Sequence, residues 1–298
     1  MQKNFTVSER RACKLTGQPR ATQRYRPKHK DGQEALEARI LELAEKNPRY
    51  GYKRICWKLR KEGWRVNRKR IHRLWKKLGL QIRRKAHKKG RVGDSLNACY
   101  RHKAMYPNHV WAWDFVNDRT EDGRQLKYLS CVDEYTREAI ILFPLRHYKN
   151  ADVYEAFLEA IEIHDTPVYI RSDNGPEFLA KALKAALHKS GVGTLYIEKG
   201  APWQNSYCES FNARVRDELL NMEMFTSLAE AQYLARQWKE KYNTYHPHSS
   251  LRGLTPSEFA AKCKEAHPNK IDQGRRMSPP LCRKGQSQRT KTLIAAGT

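Results

Sequence analysis

The sequence predicts an α/β protein in two parts, a basic all-α N-terminal region ahead of a mixed-sheet core. Three observations carry this. Positive charge is concentrated toward the chain ends, apolar residues recur at helical spacing between residues 34 and 78, and β-rich runs alternating with amphipathic helices begin at Asn108.

The 298 residues suffice for one large domain and one or two small ones. Of the formal net charge of +26, residues 1–100 carry +22, residues 101–262 carry −2 and residues 263–298 carry +6. Basic flanks around a near-neutral middle fit a chemical core delivered to a polyanion, with nucleic acid preferred to an anionic membrane. No apolar run approaches the roughly 20 residues of a bilayer span, and Met1-Gln-Lys-Asn lacks the apolar stretch of a signal peptide. A cytoplasmic protein without a membrane partner is expected. Cysteines at 13, 56, 99, 131, 208, 263 and 282 form no CxxC pair and have no histidine partner at finger spacing, so reduced thiols and no structural zinc are expected.

A basic segment, residues 1–33, comes first. Glu34 to Asn47 places Leu36, Ile40 and Leu43 on one helical face, and Pro48 ends the helix. A second helix from about Tyr52 to Glu62 buries Ile55 and Leu59, with Gly63 as its stop. Asn67 is placed to cap a third carrying Ile71, Leu74, Trp75 and Leu78. Three short helices with tight turns across residues 34–82 predict a helix-turn-helix. Around the third helix's apolar stripe stand Arg68, Lys69, Arg70, Arg73, Lys76 and Lys77, the division of surface a groove-reading helix needs; Lys53 and Arg54 are candidates for the same DNA contact. Residues 83–107 read as a basic linker whose Arg83, Arg84 and Lys85 suit phosphates.

From 108 to 262 the pattern is that of a folded core. Val110–Val116, Lys127–Val132 and Ala139–Pro144 are three antiparallel strands, followed by a helix Ala151–His164, a strand Val168–Arg171, a helix through Phe178 to Ser190, a strand Thr194–Ile197 and a final helix from near Tyr207. The order βββαβαβα is that of an RNase H-like mixed sheet. Residues 263–298, rich in Gly, Pro, Ser and Lys/Arg, read as a flexible basic tail.

Within this core Asp114 interrupts the apolar run Trp111-Ala-Trp-Asp-Phe-Val116, where a carboxylate is costly unless something pairs with it. Asp173 follows the strand Val168–Ser172, at the carboxyl end where open α/β sheets bind ligands. Glu209 lies in the first turn of the last helix. Three carboxylates together would repel unless a multivalent cation stood among them, and two Mg²⁺ ions about 3.5–4 Å apart can serve both sides of a phosphodiester displacement. Asp118, Asp133 and Glu177 are rival ligands, for which surface or structural roles are favoured. His246-Pro-His248 reads as a structural turn.

The motifs Trp111-Ala-Trp-Asp114, Arg171-Ser-Asp-Asn-Gly-Pro-Glu-Phe178 and Glu209-Ser-Phe-Asn-Ala-Arg-Val-Arg216 resemble those of DDE transposases and retroviral integrases. Val7-Ser-Glu-Arg-Arg-Ala-Cys13, Arg49-Tyr-Gly-Tyr52, Trp64-Arg-Val-Asn-Arg-Lys-Arg70 and Tyr242-Asn-Thr-Tyr-His-Pro-His-Ser-Ser-Leu251 resemble, more closely, the B-frame protein of the insertion-sequence-three family, over about residues 5–260. The resemblance implies Asp114, Asp173 and Glu209 as a catalytic, metal-binding triad, two Mg²⁺ or Mn²⁺ ions, and insertion-element ends and target as double-stranded DNA substrate. It further implies strand cleavage and transfer on the bacterial nucleoid, assembly of copies on DNA, and an upstream A-frame protein or a fusion to it. Arg216, seven residues after Glu209, takes the place of the family's basic residue there, facing the phosphate backbone, while Ser206 stands where the family has glycine. Two other readings stay open: an RNase H-like nuclease without strand transfer, and a DNA-binding regulator with an inactive core.

Overall fold

A computed structural model describes residues 7–25, 32–81, 103–173, 175, 178, 181–197 and 205–266. The chain divides into two compact units, residues 1–84 and 85–298.

In the first unit, α1 (Glu9–Thr16) and α2 (Arg20–Arg24) occupy part of the segment expected to be simply basic. Polar contacts account for the difference. Ser8 caps α1, Gly17 ends it at φ 66°, and Glu9 pairs with Arg20 at 3.2 Å and Arg24 at 2.8 Å, so apolar periodicity has little to reveal. The helices α3 (Gln33–Lys46), α4 (Tyr52–Lys61) and α5 (Arg68–Lys77) follow the expected spacing. Leu36, Ile40, Leu43, Ile55, Leu59 and Ile71 are buried, each worth about 1.5–3 kcal/mol relative to exposure. Asn67 caps α5 by accepting from the Lys69 N–H at 2.8 Å.

The second unit is built on five strands, β1 (Val110–Arg119), β2 (Gln125–Asp133), β3 (Ala139–Leu145), β4 (Tyr169–Ser172) and β5 (Gly193–Tyr196), in the order β3-β2-β1-β4-β5. Pairing is antiparallel for β1–β2 and β2–β3 and parallel for β1–β4 and β4–β5, the mixed RNase H-like sheet. Side chains alternate along β1: Trp111 and Trp113 join one apolar cluster and Ala112 and Val116 the other. The first is covered by α6 (Asn150–His164) and α7 (Lys181–Lys189), the second by α8 (Ser206–Val215), which continues into a π turn (Arg216–Leu220), and by α9 (Leu228–Tyr245).

Two expectations need correction. The helix from near Tyr207 is not the last, because α9 and α10 (Pro256–Ala266) follow, and α10 runs four residues into the expected tail. The rest of that tail and the linker cations Arg83, Arg84 and Lys85 lie outside the described residues. Among the described residues no helix is long and apolar enough to cross a membrane.

Along β3, α9 supplies hydrogen bonds that a further strand would otherwise make. Gln232 donates to the Pro144 carbonyl at 3.2 Å and Lys239 to that of Ile140 at 3.1 Å, while Asn243 accepts from the Ala139 N–H at 2.8 Å and donates to its carbonyl at 3.0 Å. Since Ala139 is fully buried, Asn243→Ala strands two backbone groups away from water, at about 1–3 kcal/mol each. It is expected to destabilise the chain by about 3 kcal/mol, read from urea unfolding at an unchanged m-value.

Candidate active site

Asp114 sits on the face of β1 that carries Ala112 and Val116, under α8. Its Oδ1 accepts from the Phe115 N–H at 2.7 Å, its Oδ2 from Asn212 Nδ2 at 2.9 Å, and its backbone carbonyl from Ser130 Oγ at 3.0 Å. Ser130 Oγ in turn lies 3.7 Å from Cys208 Sγ, so the residue preceding Glu209 packs directly behind the strand.

Strand register brings Asp173 to the same place. Val110 lies opposite Tyr169 and Ala112 opposite Arg171 in the parallel β1–β4 pair, so two residues further on Asp114 comes level with Asp173 at the end of β4. Asp173 is exposed and turns its own loop, accepting from the Gly175 N–H at 3.1 Å. Phe178, a few residues later, stacks on Trp113 and Phe115 with ring centroids at 5.2 and 4.9 Å, which holds Phe178 itself against β1. The third carboxylate, Glu209, is exposed in the first turn of α8, whose other side buries Cys208, Phe211 and Val215. Asn212 and Arg216 follow at helical spacings that keep them on the Glu209 face, and Arg216 is exposed. Ser206 opens α8 with ordinary helical geometry, a position that does not require glycine.

Asp114 feels the other two carboxylates. The Asp114 carboxyl is pushed up to about 6, chiefly by burial and further by the charges of Asp173 and Glu209, against the opposing hydrogen bonds from Phe115 and Asn212. The structure brings them to one sheet end without gathering them at a point: among the described residues, no group of three His, Cys, Asp or Glu side chains stands close enough to hold a metal ion. In donor chemistry the set fits a hard dication, with carboxylate oxygens around a charge deficit and, beside Asp114, the buried Asn212 Oδ1 unpartnered among the described residues.

One rival carboxylate has other work. Asp133 accepts from the N–H groups of Asn108 (2.7 Å), Tyr135 (2.6 Å) and Thr136 (3.2 Å), and burial still pushes its carboxyl up to about 6. Asp118 lies four residues along β1, and with burial its charge raises the Tyr128 hydroxyl. Glu177 is outside the described residues. His246 pairs with Glu218 at 3.2 Å in a buried turn. Apolar patterning says nothing of Asn212, Ser130, or the buried Arg171–Glu134 pair at 2.7 Å beside Asp173. For Asn212 the available signal is its position three residues after Glu209 in a helix.

In the first unit, Lys53, Arg68, Lys69 and Arg73 are exposed and Arg54 and Arg70 partly so. Lys53, Arg68 and Lys69, with Trp57, Arg60 and Asn67, line a cavity of about 300 Å³ at the start of α5.

Three family models match the chain: the HTH-like domain over residues 30–88, and two models of the integrase core domain over residues 105–202 and 190–256. An insertion element IS407 protein of 31.7 kDa from Burkholderia multivorans is 38% identical over 262 residues, covering 88% of this chain and 94% of that one. The transposase for insertion sequence element IS904 from Lactococcus lactis is 29% identical over 228 residues, covering 72% of this chain and 88% of its own length. Among solved structures, the HTLV-2 integrase catalytic core domain in complex with magnesium, in its trimeric form, is 17% identical with a TM-score of 0.44, covering 53% of this chain and 99% of that one.

A raised carboxyl pKa fixes the sign of a stability effect. The folded state binds the Asp114 proton more tightly than the unfolded state, whose carboxyl titrates near 3.8. Stability held below that pH is lost as pH rises through about 6. Asp114→Asn is therefore expected to raise stability in chelator at pH 7 by about 2 kcal/mol, at 1.36 kcal/mol per unit with a discount for partial exposure. Chemical denaturation at pH 7 and near pH 3.5 checks it, the difference vanishing at the lower pH.

Proposed function

The chain belongs to the integrase-core transposases of bacterial insertion elements, and from that premise we propose that Asp114, Asp173 and Glu209 form the centre that cuts and rejoins element DNA. The observation that carries the assignment is the coupling of Asp114 to both other carboxylates at the carboxyl end of the β1–β4 pair.

In this reading the three side chains hold two Mg²⁺ or Mn²⁺ ions. When bound, such ions activate the attacking water or 3′-hydroxyl and stabilise the leaving oxygen. Water first attacks the phosphodiester at the element end, and the 3′-oxygen leaves as a hydroxyl. That hydroxyl then attacks a second phosphodiester and displaces the 3′-oxygen there, which leaves as a hydroxyl, so no protein nucleophile is needed. Asn212 keeps Asp114 turned toward the site by donating to Oδ2, and its own Oδ1 is an acceptor of the kind that ordered water requires. Arg216, on the Glu209 face, suits the phosphate backbone.

The first unit delivers the substrate. Lys53, Arg54, Arg68, Lys69, Arg70 and Arg73 are assigned to DNA contact within a helix-turn-helix of residues 34–82, with Arg83, Arg84 and Lys85 in the linker of residues 83–107 adding phosphate contacts ahead of the core of residues 108–262. Copies assemble on nucleoid DNA in the cytoplasm, together with an upstream A-frame polypeptide. Among the described residues of the first unit the longest helix has 14 residues, short for the coiled coil that pairing half-sites would use.

Asp114→Asn, Asp173→Asn and Glu209→Gln are each expected to lower cleavage and strand transfer of a labelled element end in Mg²⁺ by more than about a hundredfold, the scale of losing a principal electrostatic contributor. Binding to the same duplex should be unchanged. A variant that retains more activity removes its residue from the triad, and cleavage without strand transfer favours the nuclease reading. Replacing Arg68, Arg70 and Arg73 together by Ala is expected to weaken duplex binding and to flatten the log–log salt slope by about 0.9 for each phosphate no longer neutralised. Titration of the full chain between low and moderate salt measures it.

A further inference from the structure

Between β2 and β3 the short link Glu134–Glu138 touches both arms of the site. At its start Glu134 holds the Arg171 side chain at 2.7 Å, two residues before Asp173, and both side chains are buried. Near its end Arg137 lays its guanidinium over the Tyr207 ring, Cζ 3.6 Å from the centroid, and Tyr207 lies in the first turn of α8, two residues before Glu209.

Arg137 is held in an unusual way. Its φ of 67° lies in the left-handed region, which non-glycine residues rarely adopt, and its N–H donates to the Asp133 carbonyl at 2.9 Å. The Asp133 carboxylate, accepting from Tyr135 and Thr136, stiffens the same turn. Arg137 Nη1 is buried and has no hydrogen-bond partner among the described residues. The aromatic face is thus what compensates a partly desolvated cation, the setting in which such a contact is strongest. Strain of this kind persists where the surrounding structure over-determines a conformation, and glycine would occupy the position without it.

We propose that Arg137 is a positioning residue for Glu209: through Tyr207 it clamps the first turn of α8 and so sets the Glu209 carboxylate against Asp114 and Asp173. The link is then a bracket with one hand on β4 and one on α8. The proposal rests on the reading of Glu209 as a triad member, but the clamp itself is a physical contact that can be tested separately.

Glycine makes the decisive variant. Arg137→Gly removes the guanidinium and relieves the backbone, so a merely structural role predicts held or raised thermal stability with an unchanged site. The clamp predicts that Arg137→Gly and Tyr207→Leu in the full chain both speed, without metal, exchange of the amides from Ser210 on that bond back to α8's first turn, and raise the Mn²⁺ concentration at half-saturation seen by electron paramagnetic resonance. Each change is expected to be about tenfold, within what a desolvated cation–π contact supplies. The double variant Arg137→Gly/Tyr207→Leu should add nothing to either single. If Arg137→Gly leaves both exchange and Mn²⁺ half-saturation at wild-type values, the clamp is refuted. If the wild-type chain takes up no Mn²⁺, the triad reading and Arg137's role toward it both fall, while the exchange arm still reports on the contact.

Discussion

Everything about the site depends on the parallel pairing of β1 with β4. Because Val110 lies opposite Tyr169, Asp114, in mid-strand on β1, comes level with Asp173 just past the end of the shorter β4. A slip of one residue would turn Asp114 to the side occupied by Trp111 and Trp113, burying a charge among aromatic rings. The two tryptophans therefore do more than fill a core. Their size on one face fixes which way the carboxylate on the other face must point.

The second constraint is electrostatic. A carboxyl pushed up to about 6 by burial and by two neighbouring charges is a standing cost in the metal-free fold, offset only in part by Phe115 and Asn212. Proteins keep such costs where chemistry needs them. This one is met with a narrow set of hydrogen bonds from α8 and from Ser130 on β2, so three elements must be in place before Asp114 is held. The buried Glu134–Arg171 pair confines another charge close by, where an unpaired arginine would compete for the same acids.

The apolar runs of β1 to β3 and the stripes of α3 to α5 are legible in the residues by periodicity, because burial on one face is what selects those residues. Asp114 and Asp173 stand out because a carboxylate interrupts or ends an apolar strand. The helices α1 and α2 leave no such trace, since ion pairs of Glu9 join them, whereas α9 does carry a pattern, Ala231, Ala235, Trp238 and Tyr242 marking its buried face, that the strand-and-helix count did not include. Ser130 and Arg137 have no one-dimensional signature, and Asn212 has only its place three residues after Glu209. Their roles exist only once strands and helices have been laid side by side.

The hydrogen bonds that α9 makes along β3 bear on how copies of the protein meet. An outer strand with free N–H and carbonyl groups is a template on which a foreign strand can dock, and sheets left open in this way invite aggregation. Here Gln232, Lys239 and Asn243 occupy those groups, and Pro144 has no N–H to offer. That border of the sheet is sealed against strand addition. If copies gather on one DNA segment as proposed, their sheets cannot fuse along β3, and contacts between copies would fall to other surfaces.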